Sequence, residues 1–588
     1  MTEIEATARS APTTGGASGR DGGGATLILT HRQALCGAFR DPAAKASATL
    51  ADGWVPRPEH ELWSLKTPIS WLADPFDDRN WRFQLNAWRP LDVLVTAHST
   101  TRDDIWLQPL ADLMLDWASF EATHANDPEL WNDMGSGLRA AKLAYLISQP
   151  GLEEQVGGKR RDALILLARR HLARLRDRTF IGDSNHGLFQ VHGAMALIKT
   201  LTDAPEAEGG EAYIEGVFDD LLDRQFSPEG VHLEHSPGYQ HFVLKTLERL
   251  RHSGWYESMS HVTDVIDRAR YSLRWFVFPD GLLSRIGDSS PVKTPAKWWP
   301  RPPGVMGQLY DKAGYAIIRT TAATPAPSSS MLLVTGGHHS NVHKHADDLS
   351  FELFERGRLI VVDSGKYSYS RKAWRDFTDS AAAHNSVDLI PDRLDNGVRA
   401  SRPVGSAVHE LRTAPWGWVV EGGFERPEFG VSHHRRFLYR PGEWLVLIDK
   451  VARPERAQMT AWLHLAPDLE AAPTEDGWRF PGGTVTYAVD QPSERRRYRG
   501  QEIPKIQGWM AGGYHHRTPN DALALAVTAD QMELATIVDL TPDGSAPVGT
   551  FEGGALTLTW RGRPLVEQGR VLDLSPSQTF WGPRPLTS

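Results

Sequence analysis

Cysteine is almost absent from this chain, and long apolar runs are missing altogether. Among 588 residues Cys36 is the one cysteine, which excludes an intramolecular disulfide framework and any metal site built from several thiolates. No stretch approaches the roughly 18 consecutive apolar residues that a membrane span requires, so none is expected. Positive charge is in deficit: 64 Lys and Arg against 73 Asp and Glu leave a net charge of −9. That balance argues against nucleic acid as a partner, while local basic patches remain free to hold an anionic ligand. Glycine-rich nucleotide loops and the HExxH signature are also missing, and no organic cofactor is expected. A secretion signal is not apparent, because the short run ATLILT is interrupted by His31 and Arg32 and no basic segment leads into it. A cytoplasmic location is expected on that ground, with secretion or the periplasm left open. Residues 1–30 are rich in glycine and poor in large apolar groups and read as a disordered tail.

What is present reads as two large domains. Hydrophobic residues at 40% and charged residues at 23% sit near globular averages, and the length suits more than one core. From about residue 60 to 300 the periodicity is helical. Leu110, Leu113, Met114 and Trp117 recur at the spacing of one apolar stripe, as do Val243, Leu247 and Leu250. Helices are expected near 105–119, 136–149, 160–177, 187–202, 211–225, 237–252 and 261–278, joined by turns such as Ser227–Gly230, which describes a helical bundle, toroid or solenoid. After about residue 310 the pattern becomes short and alternating. ALTLTW at Ala555–Trp560 alternates, and FLYRPGEWLVLIDKV reads as two strands around a Pro441-Gly442 turn. The boundary is placed near residue 305, giving a helical domain over 31–305 and stacked antiparallel sheets over 306–588.

Several residues are candidates for chemistry, each with a plainer alternative. His343 and His345 stand two apart in HSNVHKHADDLSFEL, and in an extended strand such residues share a face and a site. His345, Asp363 in LIVVDSG and His384 in AAAHNSV have the ligand types of a zinc site, or are three ordinary polar residues. Asn185, beside His186 in DSNHGLFQVHG, suits a helix cap or a polar ligand contact. Tyr239 in EHSPGYQHF follows a capping Ser236 and a first-turn Pro237, where the positive helix end favours the phenolate and lowers its pKa. Its alternative is a core aromatic on the stripe of Val243. Arg285, Lys366 and Arg371 are candidates for anionic groups, and Arg495, Arg496, Arg497 and Arg499 form a further basic cluster; solvated side chains are the alternative for all of them.

Two separated regions resemble the heparinase II/III-like polysaccharide lyases, which include heparin, heparan and some alginate lyases. The first comprises WNDMGSGLRAAKLAYLI, NHGLFQVHGAMAL, HSPGYQHF and FPDGLLSRIGDSSP; the second comprises GYAIIRT, HKHADDLSFELFERGRLIVVDSGKYSY and AAAHNSV. The resemblance implies an incomplete (α/α) toroid followed by an antiparallel β-sandwich. It implies β-elimination beside a uronic acid in an anionic polysaccharide. Asn185 and His186 would meet the substrate carboxylate, Tyr239 would serve as base, acid or both, and His343 would be the second proton-transfer or carboxylate-neutralising group. His345, Asp363 and His384 would hold a structural zinc. These residue types suit the reaction: preorganised donors on a developing carboxylate charge are worth about 3–4 kcal/mol each, and a positioned acid or base contributes about 10²- to 10⁴-fold. Two other readings stand beside it. A glycoside hydrolase on the same toroid would need paired carboxylic acids, for which Asp183, Glu234 and Asp288 are available. A non-catalytic polysaccharide-binding protein would use some of the 21 tryptophans for stacking.

Overall fold

The computed structural model describes residues 27–57, 60–125, 127–294, 304–321, 323–370, 372–390, 393–552, 555–567 and 570–571. The apolar stripes of the first half become helices. Leu110, Leu113, Met114 and Trp117 are buried along Leu107–Thr123, and Val243, Leu247 and Leu250 along Pro237–Arg251. Further helices occupy Asp133–Ile147, Gly158–Leu175, Asn185–Thr200, Gly210–Gln225 and Ser260–Leu273. Side-chain acceptors start them by satisfying amides that lack a partner in the first turn. The Asn132 side chain accepts from Gly135 at 3.1 Å, and Ser236 accepts from Tyr239 at 3.2 Å. At Asn185–Thr200 the cap is Ser184, which accepts from the His186 amide at 3.3 Å. Asn185 is therefore not the cap that its residue type suggested; it is the first residue of the helix and is buried.

The chain divides into two units. One takes the residues up to Leu222 together with Thr246–Thr263; the other takes Asp223–Lys245 and the residues from Asp264 onward. In the first unit, helices Asp133–Ile147 and Asn185–Thr200 meet through Gly137 and Gly193. A Cβ at Gly137 would lie 2.3 Å from the Phe189 carbonyl oxygen, and one at Gly193 2.3 Å from that of Gly137, so glycine is required at both. Nearby, the buried Arg139 donates to the carbonyls of Asn86 and Leu130 at 2.8 Å, which satisfies a charge otherwise costly to bury. The expected tail lies outside the described residues as far as 26. At its end Leu29 is fully buried and its amide donates to Ser148 Oγ at 3.2 Å, so packed chain begins before residue 30.

The second unit is built on antiparallel sheets. One five-stranded sheet runs in the order Val305–Tyr310, Tyr315–Thr320, Ser330–Thr335, Phe351–Glu355 and Arg358–Val361. A ten-stranded sheet is centred on the long strands Trp444–His464 and Asp521–Asp539, paired from Trp444 opposite Asp539 to His464 opposite Ala522. The Pro441-Gly442 turn leads from Val431–Arg440 into Trp444–His464, with Arg440 opposite Trp444. Ile318, Leu332, Phe351 and Leu353 of the smaller sheet share one core with Phe437, Leu447, Leu463 and Leu525 of the larger, so two inner faces meet as a sandwich. Some residues of helical sequence belong here too: the Arg319 guanidinium donates to the carbonyls of Arg274 and Val277.

Candidate active site

Gly287 sets the geometry. Its φ of +61° is a left-handed conformation, and a Cβ there would lie 2.4 Å from the carbonyl oxygen of His235, so the chain turns where only glycine fits. The turn places Ser289 under the helix that begins at Pro237: Ser289 Oγ accepts from the Gly238 amide at 3.0 Å and lies 2.9 Å from Ser236 Oγ. It also buries Asp288, whose carboxylate is held from several sides. Oδ2 lies 2.7 Å from His343 Nδ1, and Oδ1 lies 3.0 Å from His345 Nε2. Arg375 grips both oxygens, with its second nitrogen 3.2 Å from Oδ2. Burial alone would raise this carboxyl, but the Arg375 charge and the two imidazoles hold it well below the usual carboxylate range. His343 and His345 do converge, though by a different route from the expected strand. Residues 339–350 are turns and irregular chain, and His343 has a φ of +53°. A bend, rather than strand alternation, delivers both rings to one carboxylate.

The His343 ring lies against Tyr239, with centroids 3.6 Å apart and planes at 21°. On its other edge, His343 Nε2 is 3.5 Å from Glu234 Oε2. The Tyr239 hydroxyl meets the Tyr369 hydroxyl at 2.5 Å, and Lys366 Nζ donates to Tyr369 at 2.8 Å. The expected lowering of the Tyr239 phenol is overturned. Burial, then the neighbouring Tyr369 and Asp288, push it well above the ordinary tyrosine range, and the helix end does not compensate. Tyr239 therefore rests as a neutral phenol. Because an ammonium group has donors only, the Tyr369 oxygen accepts from Lys366, while either hydroxyl of the Tyr239–Tyr369 pair can be the donor.

Asp363 Oδ2 and His384 Nδ1 are 2.7 Å apart and fully buried, and the rings of His384 and His345 are 5.3 Å apart. His384 Nε2 and His345 Nδ1 are buried without a hydrogen-bond partner. Two orphaned imidazole nitrogens and a carboxylate are ligand types that suit a divalent ion such as zinc, but the Asp363 carboxylate bonds His384 Nδ1 rather than standing beside the orphaned Nε2. Among the described residues, the group of potential ligand atoms that lie within 4.8 Å of one another is a different one, from Asp288, His345 and Asp379. There the Arg375 guanidinium stands in the place of a cation, with Nε 2.9 Å from Asp379 Oδ1 in addition to its grip on Asp288. Nearby, burial and the Asp363 charge push the Glu352 carboxyl up to about 7.

The family model described as "Heparinase II/III-like, C-terminal" matches residues 302–541. Over that stretch the sequence is similar to the heparinase II/III-like family. A heparin-sulfate lyase of Bacteroides stercoris is 22% identical over 228 residues, which are 37% of this chain and 31% of that protein, so the match spans about a third of the curated relative. The crystal structure of a heparinase III has the same fold, with a TM-score of 0.70, 15% identity and coverage of 92% of this chain and 91% of the other. A heparan sulfate lyase from Pedobacter heparinus gives 0.57 at 15% identity, covering 90% and 88%. The helical region followed by antiparallel sheets is thus the toroid-plus-sandwich fold of those heparinases.

The remaining candidates fall in different settings. In the first unit the His186 ring bonds the Asp133 carboxylate at 3.0 Å, beside the buried Asn185. In the second, the Arg285 guanidinium lies 3.0 Å from Met510 Sδ and its backbone amide donates to Glu352 at 3.2 Å. Lys366 is engaged with Tyr369, and Arg371 lies outside the described residues. The cluster Arg495–Arg499 is on an edge strand, where Arg496 pairs with Glu494 and Arg499 with Asp521. Tyr369 and Arg375 were not singled out from the sequence. KYSY was visible as a motif, but nothing marked which tyrosine reaches Tyr239, and a lone arginine 87 residues from its carboxylate carries no local signal.

Proposed function

We propose that the chain is a polysaccharide lyase that breaks the glycosidic bond beside a uronic acid by β-elimination, leaving an unsaturated uronate end. The observation that carries this reading is the stack of Tyr239 on His343, each backed by its own hydrogen-bond partner. A neutral phenol beside an imidazole is an acid beside a base. In this reading His343 takes the ring proton next to the carboxylate, and Tyr239 gives its proton to the departing oxygen. Tyr369 and Lys366 stand behind it to restore the proton. Asn185 and His186 are assigned the substrate carboxylate by the resemblance, because charge flows onto it as the proton leaves. A sulfated glycosaminoglycan is the first substrate to test, since the named relatives are heparin-sulfate and heparan sulfate lyases. The hydrolase reading is weakened at Asp288, which is buried, ionised and fully bonded and so has no proton to give.

His345, Asp363 and His384 are proposed to hold one structural divalent ion, with zinc favoured by the donor set; when bound it would fix the two rings and the carboxylate in place. Elemental analysis of protein purified without added metal is expected to find one zinc per chain, lost in His384→Ala together with several degrees of thermal stability. No metal and no change on chelation would refute this part. For the reaction, the protein is incubated with heparan sulfate, heparin, chondroitin sulfate and alginate while ultraviolet absorbance of the unsaturated product is followed. Absorbance rising on at least one uronate polymer is expected; reducing ends released without it would mean hydrolysis.

A further inference from the structure

His343 and His345 reach the two oxygens of one carboxylate, and that carboxylate cannot turn. Asp288 is 2% exposed. Oδ1 is taken by His345 Nε2 and Arg375, and Oδ2 by His343 Nδ1 and the other Arg375 nitrogen. We propose that Asp288 is a positioning residue of the elimination site, fixing His343 as the tautomer with its proton on Nδ1 and its lone pair on Nε2. The inference rests on the lyase reading of His343 and deepens it.

The physical steps are short. A neutral imidazole carries one N–H, and an ionised carboxylate has only acceptors. At 2.7 Å, Asp288 Oδ2 therefore claims the proton for Nδ1. Nε2 is left as the acceptor, and its nearest carboxylate, Glu234 Oε2 at 3.5 Å, is too distant to compete as a hydrogen-bond partner. The ring cannot flip to exchange its nitrogens without leaving Asp288, and Tyr239 lies over one face at 3.6 Å between centroids. In the reaction the proton passes from the substrate carbon to His343 Nε2, and the C–H electron pair becomes the new double bond. The carbon–oxygen bond breaks with its electrons on oxygen, and the Tyr239 proton neutralises that oxygen. The imidazolium so formed keeps its Nδ1–H on Asp288, whose negative charge stabilises it. Losing a carboxylate that fixes the tautomer of a general-base histidine costs up to about 10⁴-fold in kcat.

The test has a spectroscopic arm and a kinetic arm. In wild-type protein labelled with 15N on its histidine rings, two-bond proton–nitrogen correlations at mildly alkaline pH report which nitrogen carries hydrogen. His343→Gln identifies the signal. A protonated Nδ1 and a bare Nε2 are expected; a proton on Nε2 would overturn the proposal, and this reading needs no variant at position 288 to fold. In Asp288→Asn the amide donates as readily as it accepts, so the Nδ1 preference should vanish. With heparan sulfate as the probe, kcat should fall by up to about 10⁴-fold with KM unchanged. A folded Asp288→Asn with wild-type kcat would also overturn it. If wild-type protein yields no unsaturated product from any uronate polymer, the lyase reading fails, while the spectrum still decides the tautomer.

Discussion

Two buried carboxylates in the strand-rich unit, Asp288 and Asp449, are held by histidine and arginine side chains, two histidines at Asp288 and one at Asp449, yet their surroundings differ. Asp449 accepts from His433 Nε2 at 2.7 Å and from Arg435 at 2.6 and 3.0 Å. Burial would raise it, but the Arg435 charge and the His433 bond bring it down to about 2. Its histidine side chain is 0% exposed, whereas that of His343 is 16% exposed and stacked with Tyr239. The Arg435 guanidinium also donates to the carbonyls of Leu349 and Asn385, tying three segments of chain together. The same three residue types thus serve two ends. Where every donor is spent inside the sheets, the triad locks the core; where one imidazole edge stays accessible beside a neutral phenol, it is poised for proton transfer.

The strongest way to break this contrast is at Tyr239. Tyr239→Phe removes the acid but keeps the stacked ring, so turnover should fall by about 10²- to 10⁴-fold with binding and melting temperature preserved. Steady-state kinetics beside a thermal scan would show it, and undiminished turnover would end the assignment. At the other carboxylate the effect should move from rate to stability. Asp449→Ala leaves a buried arginine and histidine unpaired and should cost about 3–5 kcal/mol in denaturant unfolding. The surviving folded protein should turn over normally; a large loss of kcat at unchanged stability would erase the distinction between the two triads.

A third buried carboxylate sharpens the comparison because no cation grips it directly. Glu355 accepts from Ser330 Oγ, Tyr439 and the Gly442 amide, and burial pushes it up to about 7. A raised carboxyl binds its proton more tightly in the folded chain than in the unfolded one. Its contribution to stability is therefore greatest at acid pH and declines as pH rises from the ordinary glutamate value through about 7, by up to about 1.4 kcal/mol per pH unit. Glu355→Gln should flatten that slope in unfolding curves taken across the interval; an unaltered slope would place the titration elsewhere. The smallest effect is expected at the exposed strand edge. Arg495 donates to the Glu475 carbonyl at an exposed position, and Arg495→Ala should leave the unfolding midpoint where it is. A clear shift would mean that the arginine edge contributes to the core.

Much of the fold was legible because periodicity and capping are local. The stripe Leu110, Leu113, Met114 and Trp117 became a buried helix face, and Pro441-Gly442 became a hairpin turn. Of the two roles open to Asn185, the cap falls to Ser184, which is equally suited and stands one residue earlier. The pairing of His343 with His345 was readable from spacing, but its cause was not: a left-handed His343 and a distant Asp288 bring the rings together, and neither is encoded in the neighbouring residues. The direction of the Tyr239 shift was hidden for a related reason. The helix end is visible in sequence, whereas the burial that outweighs it, and the Tyr369 that adds to it, come from residues far along the chain.

The most direct test of the central claim, that a phenol and an imidazole carry out an elimination, is the mass of the products released from a defined uronate oligosaccharide. Elimination divides the substrate without adding anything, so the two fragments should sum to the mass of the starting chain, with the new non-reducing end lighter by one water than its hydrolytic counterpart. Fragments whose masses sum to the substrate plus one water would contradict the account.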